Sequence, residues 1–321
     1  MLDVVCFGEI LWDVFETRPR GREAIAREFR RELGGAPANV ATGLARLGVR
    51  SAILGAVGRD RFGDALLAHL RSDGVDTRFV ARLPNRTGLT FVVRDDRGEP
   101  EFLFYRHASA DLCLRADHVR PAAGRARWAL VGTSTMMTPE LAAATAKFLV
   151  AARDGGARIF VDLNVRPHLW SDRRAMRDAI ARLVAAAAIV KASDADLRAV
   201  GGGLRWLRGH APRATWLVTR GGGMASAIGA HGEVNEPALR ARCVDATGAG
   251  DAFIAGALAM VIASRAVPGS AAWLDGSVWN AALRVGHRMG KKAVSRAGAV
   301  AGLIALGRER ALVASARRRS S

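Results

Sequence analysis

The chain has 321 residues, of which 50% are hydrophobic and 24% are charged, and this composition predicts a soluble globular protein with a large core. Because no apolar stretch reaches the roughly 20 residues that span a bilayer, a membrane-spanning protein is excluded. The net charge of +18 suggests a polyanion as partner. However, only four of the 48 basic residues are lysine, which indicates a bias toward arginine across the whole chain. Because only 6% of residues are aromatic, few side chains could stack on bases, and nucleic-acid binding is not expected.

The first ten residues, MLDVVCFGEI, carry an acid where a secretory signal carries a basic segment, so they indicate a strand and a cytoplasmic protein. From there on, β-rich runs alternate with helical periodicity. The predicted core strands are Val4–Phe7, Ala52–Val57, Trp128–Val131, Arg158–Asp162, Ala188–Lys191 and Thr215–Thr219. The predicted helices are Pro37–Leu47, Phe62–Ser72, Pro139–Arg153, Arg173–Ala186 and one that begins near Gly248. This alternation predicts an α/β fold with a doubly wound, mostly parallel sheet flanked by helices.

Polar residues follow several of the predicted strands. They are Glu9 and Asp13, Asn164 and Arg166, Ser193, and Thr219. In doubly wound sheets ligands bind beyond the carboxyl ends of the strands. These positions therefore predict which edge of the sheet carries the functional site.

One region, Thr87–Arg106, breaks the alternation. Its sequence, TGLTFVVRDDRGEPEFLFYR, alternates like two antiparallel strands joined at DDRG, and residues 14–33 would add further strands beside it. We interpret these segments as a small β lid over the site within a single domain of residues 1–321, the alternative being a plain edge sheet. The exposed edge of the lid would allow a homodimer. Residues 314–321, which include Arg317–Arg319, predict a disordered basic tail.

The stretch CVDATGAGDAF, Cys243–Phe253, places Asp251 in the first turn of a predicted buried helix. Attraction to the positive helix end would explain this acid alone. It does not explain Gly248, Ala249 and Gly250, which leave backbone amides open to an anion. We therefore interpret Asp251 as a general base that takes a proton from a hydroxyl attacking phosphorus, while those amides hold the transferred phosphoryl group. The P-loop pattern, GxxxxGK followed by Ser or Thr, does not occur in the sequence.

Two motifs resemble the signatures of the PfkB or ribokinase-like carbohydrate kinases. DATGAGD, Asp245–Asp251, resembles the C-terminal signature, and LGGAPANVA, Leu33–Ala41, resembles the substrate-binding GGxxxN motif. The segments GEILWD, GAVGRDRFGDAL, FYRHASADLCL and DLNVRPHLW are similar to the fructokinase and 2-keto-3-deoxygluconate kinase branch. The resemblance covers nearly the whole chain and implies a ribokinase-like fold.

The resemblance also implies a sugar site, formed by Asp13, Gly34, Gly35, Asn39, Arg106 and Arg166. Asp13 and Asn39 would hydrogen-bond sugar hydroxyls, and the two glycines would let the backbone approach the sugar closely. The alternatives are an ordinary turn for the glycines and a solvated edge residue for Arg106.

On the nucleotide side, the resemblance implies contacts from Asn164, Lys191, Ser193, Thr219, Gly221 and His287. Mg²⁺ would arrive with ATP, held mostly by phosphates and water. Asp245 and Thr247 would help to bind a monovalent cation such as K⁺, and a turn stabilised by Asp245 is the alternative. Three features depart from the family pattern: Met224 stands where a second glycine is usual, SDAD at Ser193–Asp196 shortens the usual Asn and Glu pair, and His287 replaces a small polar residue near the adenine.

These features together predict an ATP-dependent sugar kinase that phosphorylates a primary hydroxyl. Fructose is the first expectation for the substrate, an acidic keto sugar such as 2-keto-3-deoxygluconate the second, and a nucleoside the third. A protein that senses a sugar or a nucleotide without catalysis is the non-enzymatic alternative, and such a protein would be expected to lose the base or the anion-binding amides first.

Overall fold

The computed structural model describes residues 1–17, 28–94 and 100–320, and its described strands form two sheets. The strands are β1 (Leu2–Phe7), β2 (Leu11–Glu16), β3 (Phe29–Gly34), β4 (Ser51–Gly58), β5 (Asp76–Leu83), β6 (Leu89–Arg94), β7 (Pro100–Tyr105), β8 (Ala126–Gly132), β9 (Arg158–Asp162), β10 (Ile189–Ser193), β11 (Thr215–Thr219), β12 (Met224–Gly229) and β13 (Gly232–Pro237). The described helices are α1 (Ala36–Arg46), α2 (Arg61–Ser72), α3 (Pro139–Asp154), α4 (Arg173–Val184), α5 (Asp194–Val200), α6 (Gly203–His210), α7 (Ala249–Ala263), α8 (Ala271–Leu274), α9 (Gly276–Ala293) and α10 (Gly307–Arg319).

The large sheet has the strand order β13-β12-β11-β10-β9-β8-β1-β4-β5. Every pair from β11 to β5 is parallel, while β12 and β13 add an antiparallel edge. The six predicted core strands are confirmed. Strands β5, β12 and β13 were not predicted, because they carry glycine or polar residues where buried strands carry apolar runs. Strands β5 and β13 are the edges of the sheet, and β12 lies next to β13.

Helices cover both faces of the large sheet. Alternate residues of β1 point to opposite faces, so that Val4 and Cys6 join one apolar cluster and Val5 and Phe7 join the other. Helices α1, α7 and α9 contribute to the first cluster, and α3, α4 and α6 to the second. The prediction of a doubly wound, mostly parallel sheet is confirmed.

The small sheet, which we call the lid sheet, has the strand order β3-β2-β6-β7. Strands β6 and β7 pair in antiparallel register, which confirms the predicted hairpin, and β2 and β3 supply the strands expected from residues 14–33. Residues 18–27 and the DDRG turn at 95–98 lie outside the described residues. Phe102 and Phe104 of β7 face the cavity described below.

Helix α7 is buried along almost its whole length, since every residue from Ala252 to Ala263 is buried. Close approaches at glycine allow this packing. A Cβ at Gly256 would lie 2.7 Å from the carbonyl oxygen of Val285 in α9, and one at Gly43 of α1 would lie 2.7 Å from Ala255 Cβ. The first turn of α7 is therefore held firmly at the centre of the molecule.

The predicted disordered tail is wrong over the residues that the structure describes. Helix α10 continues to Arg319 and therefore includes Arg317–Arg319. Its inner face carries the buried residues Glu309, Val313 and Ala316, and it packs against α7 and α9. These buried positions are few but lie four and three residues apart, so they share one face of a helix.

Candidate active site

A cavity of about 480 Å³ opens at the carboxyl ends of the parallel strands, beneath the lid sheet. Its walls include Glu9 after β1, Ser134 after β8, Asn164 after β9, and Ser193 and Thr219 at the ends of β10 and β11. Parallel strands end at the same edge of a sheet, and this is where doubly wound folds bind ligands. The structure thus brings the polar residues that follow the strands into one cavity.

Most of the residues predicted for the site line this cavity. They are Asp13, Gly35, Asn39, Arg106, Asn164, Arg166, Lys191, Ser193, Thr219, Gly221, Asp245, Thr247, Gly248, Gly250 and Asp251. The predicted residues that do not line it are Gly34, Ala249 and His287.

The first turn of α7 presents an uncapped helix end to the cavity. Gly248 is the N-cap with a φ of +73°, and no side chain caps the helix. The amides of Gly250 and Asp251 have no acceptor earlier in the helix. The amide of Ala249 donates to the carbonyl oxygen of Ala246 at 3.2 Å, so Ala249 is less free to bind an anion than the sequence predicted. The opening for an anion is centred on Gly250 and Asp251.

Position 248 requires glycine for two reasons, the backbone conformation there and the lack of room for a side chain. Its φ lies in the left-handed region, which disfavours other residues. A Cβ at this position would lie 2.3 Å from Ala299 Cβ, on the segment that follows α9. The turn and its neighbour therefore set the angle at which α7 enters the site.

Asp251 lies between the sugar motif and the anion-binding turn. Asn39 Nδ2 of α1 donates a hydrogen bond of 2.8 Å to Asp251 Oδ2. Burial raises the pKa of Asp251 to about 7, and the carboxylate of Asp162 adds to this, while Asn39 and Lys191 act in the opposite direction. A carboxyl group with a pKa near the working pH is suited to accept a proton during catalysis.

Asp13 of β2 is a second carboxyl group whose pKa is raised, to about 8, first by burial and then by the charges of Asp251 and Glu9. Gly34 lies behind it, because a Cβ there would be 2.5 Å from Asp13 Cγ. The role predicted for Gly34, close approach to a sugar, is therefore replaced by making room for Asp13. Gly35 does line the cavity, with a φ of +96°.

Two arginines line the cavity and differ in their hydrogen-bond partners. Arg106 follows β7 rather than lying on it, and its Nε donates to Asp111 Oδ2 at 3.0 Å in a buried ion pair. Burial by itself lowers the pKa of Arg106, but the carboxylates of Asp111 and Glu9 hold it above its ordinary value. Among the described residues, Arg166 makes a single hydrogen bond, a long one of 3.4 Å to the carbonyl oxygen of Val165.

The strand ends also carry a buried ion pair. Lys191 Nζ lies 3.6 Å from Asp162 Oδ1, and both side chains are almost fully buried. Burial raises the pKa of Asp162 to about 6, although Lys191 lowers it. Asn164 follows with a φ of +34°, a left-handed conformation that asparagine tolerates and that often marks functional sites.

Asp245 closes the turn before α7. Its Oδ1 accepts from the amide and the hydroxyl of Thr247, at 2.9 and 2.7 Å, and its Oδ2 accepts from the amide of Gly298 at 2.8 Å. This geometry favours the structural alternative for Asp245, a turn held by local hydrogen bonds. Among the described residues, no group of three or more His, Cys, Asp or Glu side chains is placed to hold a metal ion.

His287 does not reach the cavity. Its Nε2 lies 3.0 Å from the carbonyl oxygen of Glu236 in β13, and its ring packs edge-on against Phe253. Asn280 and Arg284, one and two turns earlier in α9, hydrogen-bond to the Glu236 side chain. The predicted contact of His287 with a nucleotide is therefore not supported, because β13 occupies that side of the histidine.

Several residues that line the cavity were not assigned a role from the sequence. Glu9 accepts hydrogen bonds from the amide of Ala36 and from the Ser134 hydroxyl, so it ties β1 to both sides of the cavity. Its position directly after β1 was the available signal. Phe102 and Phe104 alternate along β7 and form an apolar wall, which the period of two in the strand indicates only once the lid is placed.

Residues 1–305 match the family model described as "pfkB family carbohydrate kinase". The chain belongs to this family. It is 36% identical over 270 residues to Fructokinase-1 of Zea mays, a match that covers 81% of this chain and 83% of that protein.

Solved structures agree with this assignment. A fructokinase with bound ATP from Xylella fastidiosa has a TM-score of 0.83 and 29% identity, with 99% of each chain covered. A fructokinase double mutant from Vibrio cholerae, in a form with fructose, ADP and potassium ion bound, has a TM-score of 0.83 and 25% identity over 98% of each chain. The protein is a carbohydrate kinase with a ribokinase-like fold. The described residues contain no helix with the length and apolarity needed to cross a membrane.

Proposed function

We propose that this kinase phosphorylates fructose, transferring the γ-phosphoryl group of ATP to a primary hydroxyl. One observation carries the proposal: Asp251 stands in the first turn of α7, beside uncapped amides and within 2.8 Å of Asn39 from the sugar motif. A base, an anion-binding helix end and a sugar-binding amide therefore meet at one point. The fructokinases among the relatives support fructose as the acceptor.

In the proposed reaction, the Asp251 carboxylate accepts the proton of the sugar hydroxyl while the hydroxyl oxygen attacks the γ-phosphorus. The bond from the γ-phosphorus to the bridging oxygen breaks, and its electron pair leaves with ADP. The amides of Gly250 and Asp251, together with the positive end of α7, stabilise the charge on the transferred group. Asp13 and Asn39 orient the sugar so that the reacting hydroxyl faces the base.

The ion pair between Arg106 and Asp111 supports a neutral sugar as the substrate over an acidic one. Its guanidinium group is buried and already paired with Asp111, so that its charge is largely neutralised at the cavity wall. A substrate carboxylate would have to compete with this ion pair. Fructose needs only hydroxyl partners, which Asp13, Asn39 and Glu9 supply.

One observation favours an acidic keto sugar as the second candidate. Arg166 also lines the cavity, and its guanidinium group makes only the long bond to Val165. It is therefore available to a substrate carboxylate, as well as to the phosphates of the nucleotide. A nucleoside is the third candidate, and the apolar wall of Phe102 and Phe104 would have to accept its base.

Magnesium fits the site as a companion of the nucleotide. Because the described side chains form no metal-binding cluster, the ion would be held mainly by ATP phosphates and water. A requirement for K⁺ is part of the proposal, and the Vibrio cholerae fructokinase form with potassium ion supports it. Asp245 would then shape the turn near the cation through its bonds to Thr247 and Gly298.

Sensing without catalysis is the non-enzymatic alternative. Asp251 and the uncapped first turn of α7 are both present, although a binding protein has no need of a base. The decisive measurement is ADP release from ATP and magnesium in the presence of fructose, 2-keto-3-deoxygluconate, a nucleoside panel, or no acceptor. Release with fructose at the highest kcat/KM supports the proposal. ADP release only with another acceptor refutes fructose as the substrate. If none of the acceptors causes ADP release, the kinase role is refuted.

The lid sheet would also support a homodimer. Strand β7 lies at the sheet edge, and Tyr105 with Phe91 and Phe29 forms an aromatic cluster in which Tyr105 is 65% exposed. A second copy of the chain would cover this surface. Light scattering of the wild type and of Tyr105→Glu tests the dimer, which should dissociate in the variant. A monomeric wild type would refute it. A single domain and a cytoplasmic location remain predictions.

A further inference from the structure

Lys191 is a buried cation that has no acceptor within hydrogen-bond distance in the described part of the chain. Its Nζ is 3.6 Å from Asp162 Oδ1, which is beyond an ordinary hydrogen bond, and Asp162 Oδ1 has no hydrogen-bond partner among the described residues. The two residues lie opposite each other in the parallel register of β9 and β10. Buried charged groups normally satisfy their hydrogen-bonding capacity. The ammonium group therefore has donors available for a ligand.

The ammonium group of Lys191 lies next to the anion-binding turn. A Cβ added at Gly250 would lie 3.3 Å from Lys191 Nζ, so the ammonium group stands beside the first turn of α7. Both the ammonium group and the helix end are positive, and they repel each other unless an anion lies between them. Lys191 also lines the same cavity as Asp251. Two independent sources of positive potential thus converge on one place.

The residue type supports the same conclusion. Only four of the 48 basic residues are lysine, and Lys191 is the one that is buried. The guanidinium group of an arginine is larger and planar, whereas an ammonium group is a compact point charge. In a chain that uses arginine almost everywhere, lysine stands at the position where little space is left beside Gly250.

We propose that Lys191 is a catalytic residue whose ammonium group donates hydrogen bonds to a non-bridging oxygen of the phosphoryl group during transfer, with Asp162 as its positioning residue. This role rests on the proposed function. In the transfer, the hydroxyl oxygen bonds to the γ-phosphorus, the hydroxyl proton passes to Asp251, and the bond to the ADP oxygen breaks with its electron pair. Lys191 keeps its protons and balances the charge on the transferred group. The chain lacks a P-loop lysine, and Lys191 supplies that charge from a strand end instead.

The charges around Lys191 come from three elements. Asp162 ends β9, Asp196 lies in the first turn of α5, and Asp251 lies in α7, while Arg166 adds a second cation nearby. Asp196 is fully engaged, because its oxygens accept from the amides of Val165 and Ser193. Asp162 and Asp251 are therefore the carboxylates that respond to a change at Lys191.

The test compares wild type with Lys191→Met, and with Lys147→Met as a control at an exposed lysine of α3. Loss of one charged stabilising group typically lowers kcat by about 10² to 10³. We expect this loss in Lys191→Met, with the Kd values for fructose and ADP changed less than about threefold, and no change in Lys147→Met. A kcat above about a tenth of wild type, or a loss of sugar and nucleotide affinity equal to the loss of kcat, would overturn the proposal.

Two further measurements separate a catalytic role from a structural one. Aluminium fluoride with ADP mimics the transferred group, and its stabilisation of the protein in thermal unfolding should depend on Lys191 with or without fructose. If wild type phosphorylates no sugar, the proposed function fails, and this binding alone decides the role of Lys191: equal stabilisation in Lys191→Met would refute it. The pH profile is the second measurement, because the pKa seen in kcat/KM should rise in Lys191→Met and fall in Asp162→Asn.

Discussion

Asn39 Nδ2 donates a hydrogen bond of 2.8 Å to Asp251 Oδ2, and this bond joins the sugar motif in α1 to the base in α7 across 212 residues of sequence. The single oxygen of the Asn39 amide, Oδ1, is buried and has no partner among the described residues. A sugar hydroxyl that donates to this oxygen would complete the group, so that the same amide orients both the base and the acceptor.

The first prediction concerns the base itself. Asp251→Asn keeps the shape of the side chain and can still accept from Asn39, but it cannot take a proton. We expect kcat to fall by about 10² to 10⁴, with the Kd values for sugar and ADP nearly unchanged. A coupled ADP assay and calorimetry measure the two quantities. The matched control is Asp275→Asn, at the exposed N-cap of α9, which should keep full activity. Turnover above about a hundredth of wild type in Asp251→Asn would contradict the assignment.

The second prediction concerns pH. Burial and the charge of Asp162 raise the pKa of Asp251 to about 7, and only the carboxylate form accepts a proton. The kcat/KM for the sugar should therefore rise with pH and level off above neutrality, since this ratio reports the free enzyme. Removing the donor in Asn39→Ala should move the midpoint to higher pH, because the hydrogen bond from Asn39 lowers the pKa of Asp251. A midpoint near pH 4 in wild type, or one unmoved in Asn39→Ala, would show that another group controls the profile.

The third prediction concerns stability without ligands. The pKa of Asp13 is raised to about 8 in the folded protein, whereas an exposed aspartate has a pKa of about 4. As the pH rises between these values, the folded state holds the proton longer than the unfolded chain, so the folded protein loses stability. Asp13→Asn removes this loss. Its Tm should match wild type near pH 4 and exceed it near pH 8 by about 3 °C or more.

The control for this comparison is Asp117→Asn, because the Asp117 side chain is 70% exposed. It should change Tm by less than about 1 °C at either pH, as surface substitutions generally do. Thermal unfolding at both pH values provides the measurement. A Tm for Asp13→Asn below that of wild type at pH 8 would mean that Asp13 is stabilised as a carboxylate, contrary to its surroundings.

The fourth prediction concerns the N-cap of α7. Gly248→Ala places a methyl group against Ala299 and forces a left-handed φ on alanine. We expect a loss of about 1 to 3 kcal/mol in the free energy of unfolding, together with a lower kcat, because the anion-binding amides shift. Gly307→Ala, at the start of α10, is the control, since its Cβ would meet no atom within 4 Å. Urea unfolding of both variants measures the difference, and equal midpoints would contradict the prediction.

Local patterns in the sequence were sufficient to predict the core strands and to place Asp251 in the first turn of a buried helix, because short apolar runs and the DATGAGD motif are recognisable without the rest of the fold. The family resemblance assigned Asn39 to the sugar site, but it did not predict the hydrogen bond from Asn39 to Asp251. The ion pair of Lys191 and Asp162 was out of reach, since it depends on the register between β9 and β10. His287 was misplaced for a related reason: the antiparallel β13 was not predicted, and it is the carbonyl oxygen of Glu236 in that strand that meets the histidine.

Helix α10 shows the limit of reasoning from charge. Arg317–Arg319 suggested a tail in solvent, but the spacing of Glu309, Val313 and Ala316 places one face of the helix against the core. A basic run at the end of a chain is compatible with a helix whenever the opposite face has enough buried contacts.

The burial of α7 on all sides has a consequence for hydrogen exchange. An amide in a helix with a solvent-facing side can exchange through small local openings, but the amides from Ala252 to Ala263 can reach water only if the surrounding helices separate. These amides should therefore exchange at the rate of global unfolding. The lid sheet has an open edge and should exchange far sooner, so the helix that carries Asp251 would stay protected longer than the sheet above the cavity.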